Sequence, residues 1–287
     1  MNNTTTANHL TALKVKKVIK RTIPYIIISI VAIVFVMPLL WMINTSLKSS
    51  AEVFSTTSGF FPRVPQWDNY VKVFQRMRIG LYLKNTLITS VLPTIGQLIS
   101  APMTAYAISL INWKGKKILF PIILLTMMIP VQVTQVTLFG IWSKLNMVNT
   151  FTPLILPAFF GGAYNIFLLR QFMMGLPKSL IEAAKIDGAS QTRILYQIIY
   201  PLCKPVLITI GLMTFMGAWN DLMTPLIYLF DSDKLTLAVA LQRFLTDANK
   251  QWELLMAAST IFTAPIIVLF FFGQRYFIEG IVTSGLK

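Results

Sequence analysis

Six long apolar stretches run through this chain, and each is long enough to cross a lipid bilayer as a helix. A hydrocarbon core about 30 Å thick needs roughly 20 residues, at about 1.5 Å of rise per helical residue. The apolar stretches are residues 23–43, 87–111, 118–139, 152–172, 205–230 and 254–272. They lack the strict alternation that strands of membrane barrels show. The sequence therefore predicts an all-α, polytopic membrane protein with six transmembrane helices in a domain of residues 23–279.

The composition excludes an ordinary soluble domain. Only 12% of the 287 residues are charged and 55% are apolar, whereas soluble domains carry about 25% charged residues. The net charge of +15 could indicate nucleic-acid binding. Positive loops and their contact with anionic lipid headgroups account for most of that charge, and no basic motif is interleaved with aromatic residues. Membrane lipid is thus an expected partner, and nucleic acid is not.

The distribution of basic residues predicts which loops face the cytoplasm. Lys and Arg collect in short cytoplasmic loops, because they resist transfer across the membrane. Fifteen of the 25 Lys and Arg residues lie in the tail 1–22, in the connection 112–117, in the connection 174–203 with its flanks, and near the C-terminus. Six of the ten acidic residues lie on the other face. This bias and the even number of helices place both tails, 1–22 and 280–287, in the cytoplasm.

Residues for catalysis or nucleotide binding are missing from the sequence. The one histidine, His9, lies in the N-terminal tail, and the one cysteine, Cys203, has no second thiol with which to form a metal site. No G-x-x-x-x-G-K-[ST] loop is present to hold nucleotide phosphates. We therefore expect no catalytic residue, no metal ligand and no cofactor bound by this chain, which is not predicted to be an enzyme.

The polar connection 174–203 has the pattern of two short helices around a turn. Ser179 and Glu182 have the spacing of a capping box, which predicts a helix start at Ser179. Asp187 and Gly188 predict the end of this helix, because glycine adopts the left-handed conformation at little cost. A second short helix then leads into the fifth apolar stretch.

One face of the first short helix carries small residues. Leu180, Ala183, Ala184 and Asp187 lie at helical spacings and form a patch bordered by Glu182 and Lys185. A patch of this shape fits the cleft of a partner protein. An amphipathic helix that lies on the lipid surface would show a similar pattern. The residues alone leave both interpretations open.

The spacing in this connection resembles the EAA signature of permeases from binding-protein-dependent ABC importers. That signature reads E-A-A, three residues, G, nine residues, I, any residue, L-P. The matching positions here are Glu182, Ala183, Ala184, Gly188, Ile198 and Pro201, with Tyr200 where Leu is usual. The resemblance implies a type I importer permease fold whose connection 174–203 docks into an ATPase subunit. The implied ATPase-coupling residues are Glu182, Ala183, Ala184, Asp187 and Gly188.

Further segments resemble one branch of that family, the maltose-type permeases of sugar importers. They are 60–75 (FFPRVPQWDNYVKVFQ), 85–86 (NT), 127–133 (MMIPVQV), 166–173 (IFLLRQFM), 219–229 (WNDLMTPLIYL) and 280–287 (GIVTSGLK). The resemblance implies a multi-pass protein of the bacterial inner membrane that translocates a carbohydrate, in particular an oligosaccharide, delivered by an extracellular solute-binding protein. It also implies a heterodimer with a second, homologous permease. Two ATPase subunits would bind ATP and Mg.

Asn220 and Asp221 lie within the fifth apolar stretch, where a carboxylate costs several kcal/mol unless it faces protein or water. Two interpretations remain open. The pair could line the translocation path and offer acceptors to a hydroxyl-rich solute, or Asp221 could form a structural hydrogen bond to a neighbouring helix.

An ion-coupled secondary transporter or a channel subunit is the alternative function. Such a protein would carry several ionisable residues inside its spans, and many contain internal repeats. Only Asp221 lies well inside a predicted span, and the two halves show no convincing repeat.

Overall fold

The computed structural model describes residues 3–55, 59–247 and 251–285, and it describes side chains within 20–55, 59–246 and 251–274. All regular structure in these ranges is helical, as predicted. The α-helices are α1 (Asn3–Ser46), α2 (Ser50–Phe54), α3 (Asp68–Arg76), α4 (Ile79–Ser109), α5 (Lys116–Thr126), α6 (Val131–Lys144), α7 (Thr152–Ile155), α8 (Ala163–Met174), α9 (Lys178–Ile186), α10 (Gln191–Ile194), α11 (Tyr200–Leu202), α12 (Lys204–Trp219), α13 (Met223–Tyr228), α14 (Leu237–Asp247) and α15 (Trp252–Gly285). Short 3₁₀ segments cover Leu156–Phe160 and Ser232–Lys234, and a π-helical turn covers Leu195–Ile199.

Four helical segments in the described ranges are long and apolar enough to span a membrane. They are Lys20–Ser46, Ile79–Ser109, Thr152–Met174 and Trp252–Gln274. Two bent pairs raise the number to six if each pair is one span, namely α5 with α6 at 99° and Gln191–Leu202 with α12 at 80°. When each bent pair is counted as one span, the described residues contain the six predicted spans. The four unpaired helical segments confirm the positions of the first, second, fourth and sixth stretches.

The third and fifth stretches each contain a break that divides the helix. The third divides between Thr126 and Val131, where Pro130 caps α6 in an extended conformation. Proline has no N–H and disfavours helical geometry in the residue before it, so α5 ends upstream of Pro130. The fifth stretch, 205–230, divides after Trp219, and α13 begins at Met223.

The chain forms two compact units, and the first comprises Met1–Val73 and Gln251–Thr260. Within it, the Asn69 amide donates hydrogen bonds to the carbonyls of Ser46 and Lys48, both at 2.9 Å. Ser49 and Glu52 form a capping box at the start of α2. Hydrogen bonds from the Arg63 and Ser49 backbone N–H groups lower the pKa of the Glu52 carboxyl. These bonds order the polar segment that follows α1.

The second compact unit comprises Phe74–Lys250 and Ile261–Lys287. A hydrophobic core in this unit joins α4, α8, α9 and the helices from α10 to α12. The most deeply buried members are Ala101, Ala105, Leu169, Met173, Ile194, Ile199, Cys203 and Ile210. Two of them are alanines of α4, and small residues of this kind let membrane helices approach closely.

Tyr200, the position that departs from the EAA signature, has a specific contact in this core. Its hydroxyl donates a hydrogen bond to the carbonyl of Leu98 in α4. In an α-helix that carbonyl would accept from the N–H of residue 102, but Pro102 has none. The Tyr200 hydroxyl therefore satisfies a carbonyl that Pro102 leaves without its helical donor, which a leucine could not do.

Tyr200→Phe is expected to lower stability by about 1 kcal/mol, because the Leu98 carbonyl would lose its donor. In a Pro102→Ala background the N–H restored at position 102 can supply that donor, so Tyr200→Phe should be nearly neutral there. Melting temperatures of the four proteins in one detergent complete the double-mutant cycle. An equal loss in both backgrounds would show that Tyr200 does not compensate for Pro102.

Candidate functional site

The helix α9 begins two residues earlier than predicted, because its N-cap is residue 177 and not residue 179. Pro177 is its N-cap, in an extended conformation, and no side chain caps the helix. Lys178 therefore takes the first helical position and Ser179 lies inside the first turn. The predicted capping box between Ser179 and Glu182 is wrong, because such a box needs the serine itself at the N-cap.

The end of α9 is confirmed at Asp187 and Gly188. Gly188 has a φ of +74°, a value that L side chains rarely adopt. Its N–H donates to the Lys185 carbonyl at 3.1 Å, and the Ala189 N–H donates to the Ala184 carbonyl at 2.9 Å. These two bonds form a Schellman motif, which satisfies carbonyls that a helix end otherwise leaves without donors.

The two faces of α9 differ in burial, and this corrects the predicted small-residue patch. Glu182, Ala183 and Asp187 are exposed, whereas Ala184 and Ile181 are buried in the core of the second unit. Ala184 therefore belongs to the inner face, and the exposed patch does not include it. Ile186 is 87% exposed, which gives the outer face a large apolar side chain.

The segment after α9 is fastened to α4. Ser190 is the N-cap of α10, and its hydroxyl accepts a hydrogen bond from the Arg193 N–H at 3.2 Å. The Tyr106 hydroxyl of α4 is 2.6 Å from Oε1 of Gln191, to which it donates. Because α9 and α10 share a core with α4 and α8, a displacement of α9 would be transmitted to those helices.

Glu182 is available to a partner. Its side chain is exposed, and it has no hydrogen bond or ion pair to any residue that the structure describes. An exposed, unengaged carboxylate on an anchored helix can accept a charge-assisted hydrogen bond from a cation of another protein.

Asn220 and Asp221 lie at the break between α12 and α13. The Asn220 amide donates to the Met216 carbonyl at 2.8 Å, and Asp221 Oδ1 accepts from the Thr224 N–H at 3.1 Å. Asp221 therefore forms a structural hydrogen bond to the first turn of the short helix that follows it, α13, and both interpretations of the pair stay predictions. The break leaves N–H groups without partners, and a nearby carboxylate satisfies one of them.

Asp221→Asn is expected to keep most of the transport activity, because the Asn side-chain oxygen can still accept from the Thr224 N–H. Asp221→Ala removes the acceptor and should lower stability by about 1 kcal/mol. Uptake at matched expression, together with the melting temperature, distinguishes the two variants. A stable Asp221→Asn protein without uptake would instead place the charge on the translocation path.

Polar hydrogen bonds also join helices at a place where none were predicted. Gln97 Oε1 of α4 accepts from the Gly162 N–H at 2.7 Å and from the Asn165 amide at 3.1 Å, and that amide lies 3.4 Å from the Thr214 hydroxyl of α12. This cluster joins α4, α8 and α12 where Gly161, with a φ of +80°, interrupts the fourth stretch. The sequence contained a signal for this cluster, because Gln97 and Asn165 are amide residues inside apolar stretches.

A second group of polar side chains, whose contacts were not predicted, holds the connector after α13. Asn85 donates to the carbonyls of Asp233 and Leu235, both at 2.9 Å, and the Thr86 hydroxyl accepts from the Leu237 N–H at 2.8 Å. Arg78 pairs with Asp233 at 2.5 Å, which lowers the pKa of the Asp233 carboxyl and raises the pKa of the Arg78 guanidinium. We call Asn85, Thr86 and Arg78 the α4 clasp.

No metal site is found among the described residues, since no group of three or more His, Cys, Asp or Glu side chains could hold an ion there. The exposed face of α9 and the break at Asn220 thus remain the candidate sites.

Known proteins resemble this chain over nearly its whole length. The arabinooligosaccharides transport system permease protein AraQ of Halalkalibacterium halodurans is 34% identical and matches 90% of this chain and 93% of its own. The galactooligosaccharides transport system permease protein GanQ of Bacillus subtilis is 31% identical, and the match covers 97% of this chain and 99% of GanQ. A crystal structure of a bacterial ABC transporter involved in the import of the acidic polysaccharide alginate contains a chain with a TM-score of 0.81 and 25% identity, covering 91% of this chain and 98% of that chain.

The family model for the inner membrane component of binding-protein-dependent transport systems matches residues 97–282. That range is more than half of the chain, and it includes the EAA-like connection as well as Asn220 and Asp221. The chain therefore belongs to the family of binding-protein-dependent transport system inner membrane components.

Proposed function

We propose that this chain is the permease subunit of an ATP-driven importer and translocates a carbohydrate delivered by an extracellular solute-binding protein. Family membership supports the role in binding-protein-dependent transport. The arabinooligosaccharide and galactooligosaccharide permeases and the alginate importer support a carbohydrate, in particular an oligosaccharide, as the solute.

The observation that carries this proposal is the construction of α9. Its inner face, through Ile181 and Ala184, is part of the core that contains α4 and α8. Its outer face exposes Glu182 and Ala183 and ends at the Gly188 turn. A helix anchored on one side and exposed on the other can receive a push from a partner and turn it into movement of the membrane helices.

The partners follow from this role. Two ATPase subunits bind ATP and Mg on the cytoplasmic side, and their closure displaces the coupling residues Glu182, Ala183, Asp187 and Gly188. Ala184 supports the same helix from its buried face. A second, homologous permease completes the path as a heterodimer in the bacterial inner membrane, with both termini of this chain in the cytoplasm. The basic connections 112–117 and 174–203 support that orientation.

Reconstitution tests the proposed function. The full-length chain, purified with its associated subunits and placed in liposomes, should take up a labelled oligosaccharide only when ATP, Mg and the cognate solute-binding protein are all present. An ATPase and a second permease should co-purify with it. Uptake that follows an imposed ion gradient and needs no ATP would favour the secondary transporter instead.

A further inference from the structure

A cationic cavity lies in the second unit, apart from the coupling face and from Asn220. It has a volume of about 410 Å³ and opens beside the end of α4, the first turns of α5 and the last turn of α8. Its lining combines cationic and apolar side chains, namely Lys116, Lys117 and Arg170 with Ile108, Phe120 and Met174. This mixed wall suits a ligand with an anionic end and an apolar end.

Arg170 is held in a fixed orientation at this cavity. Its guanidinium carbon lies 3.8 Å from the centre of the Phe120 ring, which in turn stacks with Phe167 at 6.5 Å. The Nε atom is buried and has no hydrogen-bond partner in the part of the chain that the structure describes. Stacking on a ring leaves the N–H groups at the edge of the guanidinium plane, where they can bind two oxygens of a phosphate. Among the described residues, the buried Nε has no acceptor and the guanidinium has no carboxylate partner, so its positive charge is not paired there.

The two lysines add positive charge that no described carboxylate neutralises. Lys116 donates to the Ile111 carbonyl at 3.0 Å, which uses one of its three N–H groups, and Lys117 is exposed. Among the residues with described side chains, no carboxylate forms an ion pair with Lys116, Lys117 or Arg170. The three positive charges around this cavity repel one another, and a bound anion would offset that repulsion.

An adjoining cavity of about 360 Å³ shares Lys116 and Lys117 and is also lined by Lys114 and Trp113. The Trp113 indole donates to the Ala107 carbonyl at 2.8 Å and is 39% exposed. Tryptophan is typical of the membrane–water interface, where headgroups lie. The position of these cavities at the ends of membrane helices therefore matches the depth of a lipid phosphate.

We propose that this cavity binds the headgroup phosphate of an anionic phospholipid. Arg170 and Lys117 hold the phosphate oxygens, Lys116 and Lys114 supply further positive potential, and Ile108, Phe120 and Met174 contact the glycerol and the first acyl carbons. Basic pockets between membrane helices bind anionic headgroups in this way. The lipid lies in the same leaflet as α9, because α8 leads from Arg170 directly into that connection.

Lipid titration of the full-length chain in a neutral detergent tests the site. Phosphatidylglycerol should raise the melting temperature more than phosphatidylcholine with the same acyl chains, because a ligand of the folded state stabilises it. Arg170→Gln and Lys117→Gln should each need about tenfold more phosphatidylglycerol for half of the shift, since each removes a charge-assisted hydrogen bond. Native mass spectrometry should show fewer retained phosphatidylglycerol molecules on both variants.

Lys144→Gln is the matched control, because it removes one positive charge from an exposed site on α6 and should bind phosphatidylglycerol like the unaltered chain. Lys117 is exposed, so its variant keeps the test valid if Arg170→Gln does not fold. The proposal is overturned if both variants titrate like the control, or if phosphatidylcholine is equally effective. It is also overturned if inorganic phosphate alone gives the full shift and displaces the lipid, since the ligand would then be the free anion.

Discussion

Glu182→Gln is expected to lower ATP-driven uptake by the assembled importer at least about tenfold while the chain stays folded. The carboxylate is exposed and has no partner among the described residues, so its removal should cost the chain itself little stability. A charge-assisted hydrogen bond to a cation of the ATPase contributes about 1.5–3 kcal/mol, and a loss of that size is tenfold or more in docking affinity. The measurement is uptake of labelled oligosaccharide into proteoliposomes that contain ATP.

Asp68→Asn is the control for this experiment. Asp68 is an exposed carboxylate in the first turn of α3, outside the coupling residues, and its variant should transport normally. Co-purification of the ATPase with each variant separates a docking defect from a later defect in the cycle. If Glu182→Gln transported at the normal rate and retained its ATPase, the coupling role proposed for α9 would be wrong.

The end of α9 could be predicted from the sequence, but its start could not. The difference lies in how many nearby residues suit each end of the helix. Gly188 is the one nearby residue without a side-chain penalty at positive φ, so the turn has a single solution. Pro177 and Ser179 are both acceptable starts, because proline fits an N-cap conformation and serine supplies a capping oxygen. The structure uses Pro177. Sequence spacing gives no measure of which start packs Ile181 and Ala184 better.

Only the tertiary structure shows which face of α9 is buried. Periodicity places Ile181 and Ala184 on one face, but the exposed Ile186 is as apolar as the buried Ile181. Composition therefore does not show which face turns inward. The buried cluster that contains Ala184 includes residues about 80 positions away in sequence, such as Ala101 and Ala105 of α4.

Proline gave an ambiguous signal in the membrane stretches. Pro130 separates α5 from α6, whereas Pro93 and Pro102 lie inside the continuous helix α4. The difference at Pro102 is that another element supplies a donor, since the Tyr200 hydroxyl satisfies the Leu98 carbonyl. Whether a proline breaks a membrane helix thus depends on partners that are distant in sequence.

The contacts of the α4 clasp could not be predicted either, because its partners are also distant in sequence. Loss of these contacts leads to the largest expected loss of stability. Asn85→Ala should lower the free energy of unfolding by about 2 kcal/mol or more, because the Asp233 and Leu235 carbonyls would both lose their donor. Asn85 is only 4% exposed, so water cannot readily replace the amide. Thermal unfolding, or titration with a denaturing detergent, measures the loss.

Two control variants test whether the loss of stability comes from the burial of the Asn85 amide. Asn112→Ala removes an exposed amide and should leave the melting temperature unchanged. Arg78→Gln breaks the ion pair with Asp233, which holds the same connector, yet both partners are more than half exposed and solvent screens them. Its effect should be much smaller than that of Asn85→Ala and should shrink further in high salt. If Arg78→Gln proved as damaging as Asn85→Ala, the connector after α13 would be held by charge and not by the buried amide.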